Sequence, residues 1–227
     1  MLPGFRDKTL YVMPKLIRNF ISPSFTHEKL ESPTYEDLVD VFEDRVHKWF
    51  LLPASKLLEF PNCDVAAVAL LLNYFESIEI YLSGQESKNR SAEFFARGFG
   101  RVFSVQHPTL SAKIAAAFYD QARCGFAHDG MFRNRVFFSK ARPDPILVTW
   151  PKKDGVIDES REVESFIINP RRFYDSIQLH FDRYIERLRE GADTEMGCAF
   201  VKAVALKWAL GEPDRAVGMT EDEFFRP

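Results

Sequence analysis

The segment DVAAVALLLNYFESIEIYL (residues 64–82) decides the fold of this chain. Asp64 can cap its N-terminus and Gly84 can end it, which predicts a single helix between them. The run from Val65 to Leu72 is apolar on every side of such a helix, so we expect the helix to lie at the centre of the protein. The run is far too short to span a membrane, and we expect no membrane association.

Working outward from this helix, apolar side chains recur at the three- and four-residue spacing of amphipathic helices. The predicted helices cover residues 34–58, 86–103, 108–128, 170–188 and 194–210. The stretches 131–139, 146–150 and 162–168 are instead rich in β-branched and aromatic residues and are separated by prolines and by Asp154-Gly155, a pattern typical of short strands. We therefore predict a mainly α fold, a helical bundle of four to six helices with a small β-hairpin or three-stranded insertion around 131–168.

Composition sets the predicted domain boundaries. The chain has 227 residues, which suits one domain. Residues 1–33 hold four prolines and are predicted to form an extended N-terminal arm. Residues 34–211 then form the helical domain with its β insertion, and residues 212–227 form a loose tail.

Composition also excludes several classes of function. A net charge of -3 gives no general affinity for polyanions, so contact with nucleic acid would need a local basic patch. The three cysteines are far apart and odd in number, which argues against a disulfide framework or zinc ribbon and favours a reducing, cytoplasmic setting. No Walker loop, Gly-rich dinucleotide turn or His-Glu-x-x-His motif is present, so we expect no cofactor and no metal. The 22 phenylalanines predict thick apolar seams and a buried contact between two subunits, which makes the chain a predicted homodimer.

One polar motif stands out in YDQARCGFAHDG (residues 119–130), at the end of the helix predicted from residue 108. Arg123 and His128 are five residues apart, and at about 100° per residue their side chains would point about 140° apart on a regular helix. They can converge if the helix breaks, for which Gly125 offers a place, or if two copies of the motif meet across a dimer axis. The alternative is a helix C-terminal cap, in which both side chains lie near the last carbonyls.

An arginine followed after four to six residues by a histidine resembles the motif of the HEPN superfamily. The form Arg-Cys-Gly-x-x-His-x-Gly at the end of an apolar helix is similar to a bacterial branch of that family. The resemblance covers residues 35–190 as architecture and residues 123–128 as motif. It implies a bundle of four or five helices, usually dimeric with the motif at the dimer interface, and in many members a metal-independent ribonuclease. This chain departs from the pattern at Cys124, because active members commonly have Asn, Asp or His after the arginine.

These residue types suit the cleavage of RNA by its own 2′-hydroxyl group. A histidine that titrates near neutral pH can take or give the proton, and an arginine presents a planar fork to the phosphate oxygens as negative charge builds up. The predicted catalytic residues are therefore Arg123 and His128. The predicted supporting residues are Asn73 and Glu76 on the central helix, Tyr119 four residues before Arg123, and Cys124. The predicted RNA-binding residues are Arg133, Arg135 and Lys140; Arg133 and Arg135 would share one face of a strand, and a solvated strand face is the alternative.

A second Arg–His pair, Arg101 and His107, also fits the spacing, but it runs into Pro108 and lacks the Cys-Gly and Asp-Gly pairs, so we prefer residues 123–128. Three functions stay open. The first is a HEPN-type ribonuclease in a toxin–antitoxin or phage-defence role. The second is a HEPN-like bundle that binds RNA or a nucleotide without cutting. The third is a dimeric scaffold with no nucleic-acid ligand. Cys124 favours the second and third, and a basic rim around the motif would favour the first two.

Overall fold

Six helices lie within residues 20–104 and 108–208, the part of the chain that the computed structural model describes. Helix α1 runs through the consecutive segments Tyr35–Arg45, Val46–Leu51 and Leu52–Leu57, and α2 through Asp64–Leu71 and Asn73–Ser83. Helix α3 is Ser91–Val102, α4 is Pro108–Phe118 and continues into Tyr119–Asp129, α5 is Pro170–Leu188, and α6 is Glu195–Lys207. The prediction of a mainly α fold with a small β insertion is confirmed.

Helix α1 changes its hydrogen bonding before a proline. The helix begins in a capping box, in which the Thr34 hydroxyl accepts from the Asp37 N–H and the Asp37 carboxylate accepts from the Thr34 N–H. Residues Val46–Leu51 then form a π-helix, in which each N–H bonds five residues back instead of four. Pro53 follows directly and has no N–H to donate, so the backbone adjusts ahead of it while the helix continues to Leu57.

Helix α2 occupies the centre of the bundle, as its apolar sequence predicts. Val68, Leu71, Leu72 and Phe75 are at most 1% exposed, whereas Val65 is 41% exposed, so one side of the apolar run near its start faces solvent. Among the described residues, Asp64–Ser83 is a helix long and apolar enough to cross a membrane by length and composition, and 56% of its most apolar window is buried inside the protein.

Phenylalanine rings form the shared core between the helices and the insertion. Phe118 from α4 is fully buried, and its ring lies 5.4 Å from that of Phe99 and 5.0 Å from that of Phe166, centroid to centroid. Phe75 lies 5.8 Å from Phe173 on α5 in an edge-to-face arrangement. Many of the phenylalanine side chains therefore pack in the core of the single chain.

Seven short strands complete the described fold. These are β1 (Phe20–Ser22), β2 (Phe25–Thr26), β3 (Val136–Phe138), β4 (Ile146–Thr149), β5 (Lys152–Lys153), β6 (Val156–Ile157) and β7 (Ser165–Ile168). The sheet of the insertion has the order β3-β7-β4, with β3 parallel and β4 antiparallel to β7. Phe166 and Ile168 on the middle strand are fully buried and fix the sheet against the helical core. Strands β5 and β6 form a separate hairpin around Asp154 and Gly155, which both have positive φ, as a two-residue hairpin turn requires.

The described part of the predicted N-terminal arm packs on α1. Strands β1 and β2 form a hairpin; Arg45 Nε donates to the Ile21 carbonyl at 2.6 Å, and the Ser24 N–H donates to Asp44 at 2.8 Å. Residues 1–19 of that arm and the predicted tail at 212–227 lie outside the described residues.

Candidate functional site

The Arg–His motif lies on a π-helix. Helix α4 changes at Tyr119 from α-helical to π-helical hydrogen bonding and keeps it to Asp129, where Gly130, with a φ of +73°, ends the helix. In an α-helix the backbone hydrogen bonds join residues four apart, so side chains four apart lie on the same face. In a π-helix the bonds join residues five apart, so side chains five apart lie on the same face. Arg123 and His128 are five apart, so they belong to one face of this helix.

A break at Gly125, one of the two ways considered for the pair to converge, is not what the structure has. The helix does not break there: it continues through Gly125 and Phe126 with a wider turn. The angle of about 140° between Arg123 and His128 holds only for α-helical winding. Within one chain, the winding of the backbone is sufficient to align the pair. The Arg123 side chain is half-buried and that of His128 is exposed to solvent.

The same five-residue relation joins Tyr119 and Cys124. Cys124 lies close enough to affect the titration of the Tyr119 hydroxyl. Burial raises the pKa of the Tyr119 hydroxyl, the Cys124 side chain and the charge of Glu76 raise it further, and the charge of Arg123 opposes them. Glu76 on α2 and Arg123 are thus both close enough for their charges to act on Tyr119, and the structure brings together four of the predicted site residues.

Asn73 takes a different part from the one predicted. Its side-chain amide donates to the carbonyls of Ala69 and Leu70, at 3.3 and 3.1 Å. These two carbonyls lie just before Leu72, where the two segments of α2 meet, and the bonds satisfy them as acceptors. Asn73 is exposed, and its described hydrogen bonds are local to α2.

Arg133 clamps the two ends of the π-helix. Its guanidinium pairs with Asp129 near the end, Nε to Oδ2 at 3.0 Å, and with Asp120 near the beginning. Its backbone N–H donates to the Gln121 carbonyl at 3.0 Å. The hydrogen bonds that the guanidinium donates to Asp129 and Asp120 raise its pKa, so the group is held as a charged partner of these acids.

Gly125 makes the approach of this clamp possible. A Cβ atom at residue 125 would lie 2.9 Å from the Cγ of Arg133, 3.0 Å from the Met131 carbonyl oxygen and 3.1 Å from the Arg133 nitrogen. Gly125 is buried, and two of these three atoms belong to the backbone. Residues 131–133, which follow the π-helix, therefore pack closely against it at Gly125, because this residue has no side chain.

The other two predicted RNA-binding cations are also paired. Arg135 donates to the Val163 carbonyl at 2.9 Å and lies 3.4 Å from Glu162. Lys140 pairs at 3.0 Å with Asp64 at the start of α2. The prediction that Arg133 and Arg135 share a strand face is wrong, because β3 begins only at Val136 and both arginines precede it. Arg133 bonds instead to the π-helix through its side chain and its N–H, and the Arg135 side chain bonds to Glu162 and Val163.

Sequence reasoning missed an apolar surface beside the motif. Phe126 is 37% exposed, Met131 65% and Phe137 53%. The Phe126 ring lies 5.6 Å from that of half-buried Phe132, which in turn lies 5.5 Å from Phe138. In the sequence these residues occupy ordinary predicted helix and strand positions. Only the position of Phe126, between Arg123 and His128, could have indicated that they are exposed beside the motif.

The second Arg–His pair, Arg101 and His107, has different surroundings from Arg123 and His128. Arg101 Nε lies 3.4 Å from Glu79, a buried carboxylate that also pairs with Arg97. His107 lies outside the described residues. Among the described residues there is no group of three His, Cys, Asp or Glu side chains that could hold a metal ion.

Comparison of the whole chain with family models, with curated proteins and with solved structures finds no significant match.

Proposed function

We propose that this chain is a HEPN-like protein that acts on RNA through Arg123 and His128. The observation that carries the proposal is the π-helical backbone over Tyr119–Asp129, which puts two residues five apart on one face. Extended π-helical winding is rare and occurs frequently at functional sites. A simple helix cap does not need it, because cap residues act through the last turn of an ordinary α-helix.

The roles follow from the chemistry of the two side chains. The 2′-oxygen of a ribose attacks the adjacent phosphorus atom, the bond from phosphorus to the 5′-oxygen breaks, and the product is a 2′,3′-cyclic phosphate with a free 5′-hydroxyl. His128 takes the proton from the 2′-hydroxyl, and a water molecule gives a proton to the leaving 5′-oxygen. Arg123 donates to the phosphate oxygens while their charge increases. Tyr119 and Cys124, which lie close to one another and near Arg123, position the guanidinium.

A second function, RNA or nucleotide binding without cleavage, is favoured by two observations. Cys124 stands where active members of the resembled family have a polar residue, and it lies close to Tyr119. The three cations nearest in sequence, Arg133, Arg135 and Lys140, all pair with carboxylates of the chain itself. A toxin–antitoxin or defence setting is compatible with either function.

The test is RNA cleavage by purified wild-type protein in EDTA. His128→Ala should abolish cleavage, and Arg123→Ala should reduce it by about a hundredfold or more, which is typical for loss of a proton-transfer group or of charge stabilisation. The matched controls are His47→Ala and Arg171→Ala, since both residues are accessible and pair with an aspartate far along the chain from the motif.

RNA with blocked 2′-hydroxyl groups separates the alternatives. A nuclease of this type binds the blocked RNA without cutting it, a binding protein binds both forms without cutting either, and a scaffold binds neither. If wild type and His128→Ala treat every RNA alike, the proposed role of the motif is wrong.

We further propose that the protein is a homodimer that uses the exposed apolar side chains of Phe126 and Met131. These side chains are exposed next to the motif, and clusters of exposed apolar residues mark interaction surfaces. Light scattering at about ten micromolar, where ordinary dimers persist, should give twice the chain mass. Phe126→Asp should give monomers, whereas Val156→Asp, at a 70% exposed position on the β5–β6 hairpin, should not. A monomeric wild type contradicts the proposal.

A further inference from the structure

A polar cavity lies away from the Arg–His motif. It has a volume of about 540 Å³ and is formed by α5, the end of α3, and the loop that leads into α6. None of its lining residues belongs to the π-helix Tyr119–Asp129. Its polar lining consists of Arg101, His180, Arg183, Arg187, Glu190, Thr194 and Glu195. Small-molecule sites have volumes in this range.

Three arginines converge on this cavity. Arg183 and Arg187 are four residues apart on α5 and therefore lie on one face, with His180 one turn earlier. Like charges at this spacing destabilise a helix unless an opposite charge is present. Arg101 reaches the cavity from the last turn of α3.

These arginines differ from others in the fold in what they bind. Within residues 20–104 and 108–208, no carboxylate lies within salt-bridge distance of Arg183 or Arg187, and Arg101 has Glu79 at 3.4 Å. Arg189, two residues after Arg187, pairs with three carboxylates: Glu36, Asp40 and Glu43. The fold thus satisfies the charge of an arginine on the neighbouring surface and leaves two cavity arginines for another anion.

His180 shows that the cations are close together. Its Nδ1 lies 2.8 Å from the hydroxyl of Tyr74, which is buried. Burial, and then the charges of Arg101 and Arg183, lower the pKa of His180 to about 4. The ring is therefore neutral at neutral pH, so it adds a hydrogen-bonding group to the cavity without adding to the repulsion between the arginines.

The cavity also contains two carboxylates. Glu190 follows the end of α5, three residues after Arg187, and Glu195 begins α6. Arginine forks bind phosphate oxygens, and carboxylates accept hydrogen bonds from hydroxyl or amino groups. We propose that this cavity binds a small phosphorylated molecule, with its phosphate on Arg101, Arg183 and Arg187 and its hydroxyl or amino groups towards Glu190 and Glu195.

The test is titration of the full chain with inorganic pyrophosphate, by calorimetry and by the NMR resonances of the His180 ring, at constant ionic strength. Wild type should bind saturably, and its His180 resonances should move. Arg183→Gln and Arg187→Gln should each weaken binding about tenfold and together abolish it, because each removes one charge-assisted contact while keeping a helix-forming side chain.

Two control variants keep the result interpretable. Arg171→Gln makes the same charge change at the other end of α5, where the arginine pairs with Asp175, and should leave binding unchanged. Lys56→Gln removes an exposed charge that pairs with Glu59 and should also leave binding unchanged. The His180 resonances report on this cavity and not on the Arg–His motif, so failure of this proposal is separate from failure of the proposed function. Equal weakening by Arg171→Gln and Arg183→Gln, or no saturable binding at millimolar pyrophosphate, would overturn the proposal.

Discussion

Replacing Gly125 by alanine tests whether the returning chain holds the π-helix in place. In an ordinary helix this change stabilises by about 0.5–1 kcal/mol, because glycine loses more backbone freedom on folding than alanine does. At residue 125 the new Cβ would lie 3.0 Å from the Met131 oxygen and 3.1 Å from the Arg133 nitrogen. Backbone atoms at these distances must move, and the movement strains the 3.0 Å bond from the Arg133 N–H to the Gln121 carbonyl.

The expected magnitude is the difference between these two effects. Forcing one additional carbon into a packed site costs about 1–3 kcal/mol, so the helix gain leaves a net loss of about 1–2 kcal/mol. Gly100→Ala is the matched control, because this glycine lies within α3 and the nearest atom to an added Cβ is the Ser111 Oγ at 3.9 Å. That variant should gain about 0.5–1 kcal/mol.

The assay is equilibrium unfolding in urea, with thermal unfolding as a second measurement. For a chain of this size each kcal/mol corresponds to about 2–4 °C in the midpoint. The two alanine variants should therefore move in opposite directions from wild type. If Gly125→Ala is as stable as Gly100→Ala, the close approach of residues 131–133 to the π-helix is not a feature of the protein.

Two further predictions concern acid stability. The pKa of His180 is lowered from its usual 6.5 to about 4, so the unfolded chain binds more protons than the folded chain between these pH values. The contribution of His180 to the free energy of unfolding is therefore complete above pH 6.5 and falls by up to about 3 kcal/mol as the pH drops to 4. His180→Gln should flatten that part of the curve measured by urea unfolding, and an unchanged slope would contradict the burial of the ring. Burial alone would raise the pKa of Asp44, but hydrogen bonds from Lys48 and Ser24 lower it to about 2. Its contribution to the free energy of unfolding is therefore present above about pH 4 and is lost towards pH 2. Asp44→Asn should cost about 1–3 kcal/mol at pH 7, and a variant as stable as wild type would show that the β1–β2 hairpin does not depend on this carboxylate.

The helices could be predicted because their signals are local. The apolar run of α2 and Pro170 at the start of α5 each act within a turn or two, and the structure has these helices where expected. The alternation and turn residues of the insertion predicted strands in the same way. Their order, with β7 between β3 and β4, depends on contacts across the chain that no local pattern encodes.

The winding of the motif helix could not be predicted for the same reason. Nothing in YDQARCGFAHDG distinguishes i→i+5 from i→i+4 bonding by propensity, and an angle computed for α-helical winding separates Arg123 from His128. The π-helical turn is associated with the Arg133 clamp and the close approach at Gly125, which are tertiary contacts. The partners of Arg133, Arg135 and Lys140 are likewise tertiary, so the sequence showed a basic run where the structure has ion pairs.

The central claim is that Arg123 and His128 act together on one phosphodiester from one helix face. It is tested most directly by the single-turnover rate of RNA cleavage in wild type, Arg123→Ala, His128→Ala and the double variant. Residues that act as a unit on one transition state are strongly non-additive, so the double variant should be no slower than the slower single variant. Losses that multiply in the double variant, or a His128→Ala rate equal to that of wild type, would contradict the claim.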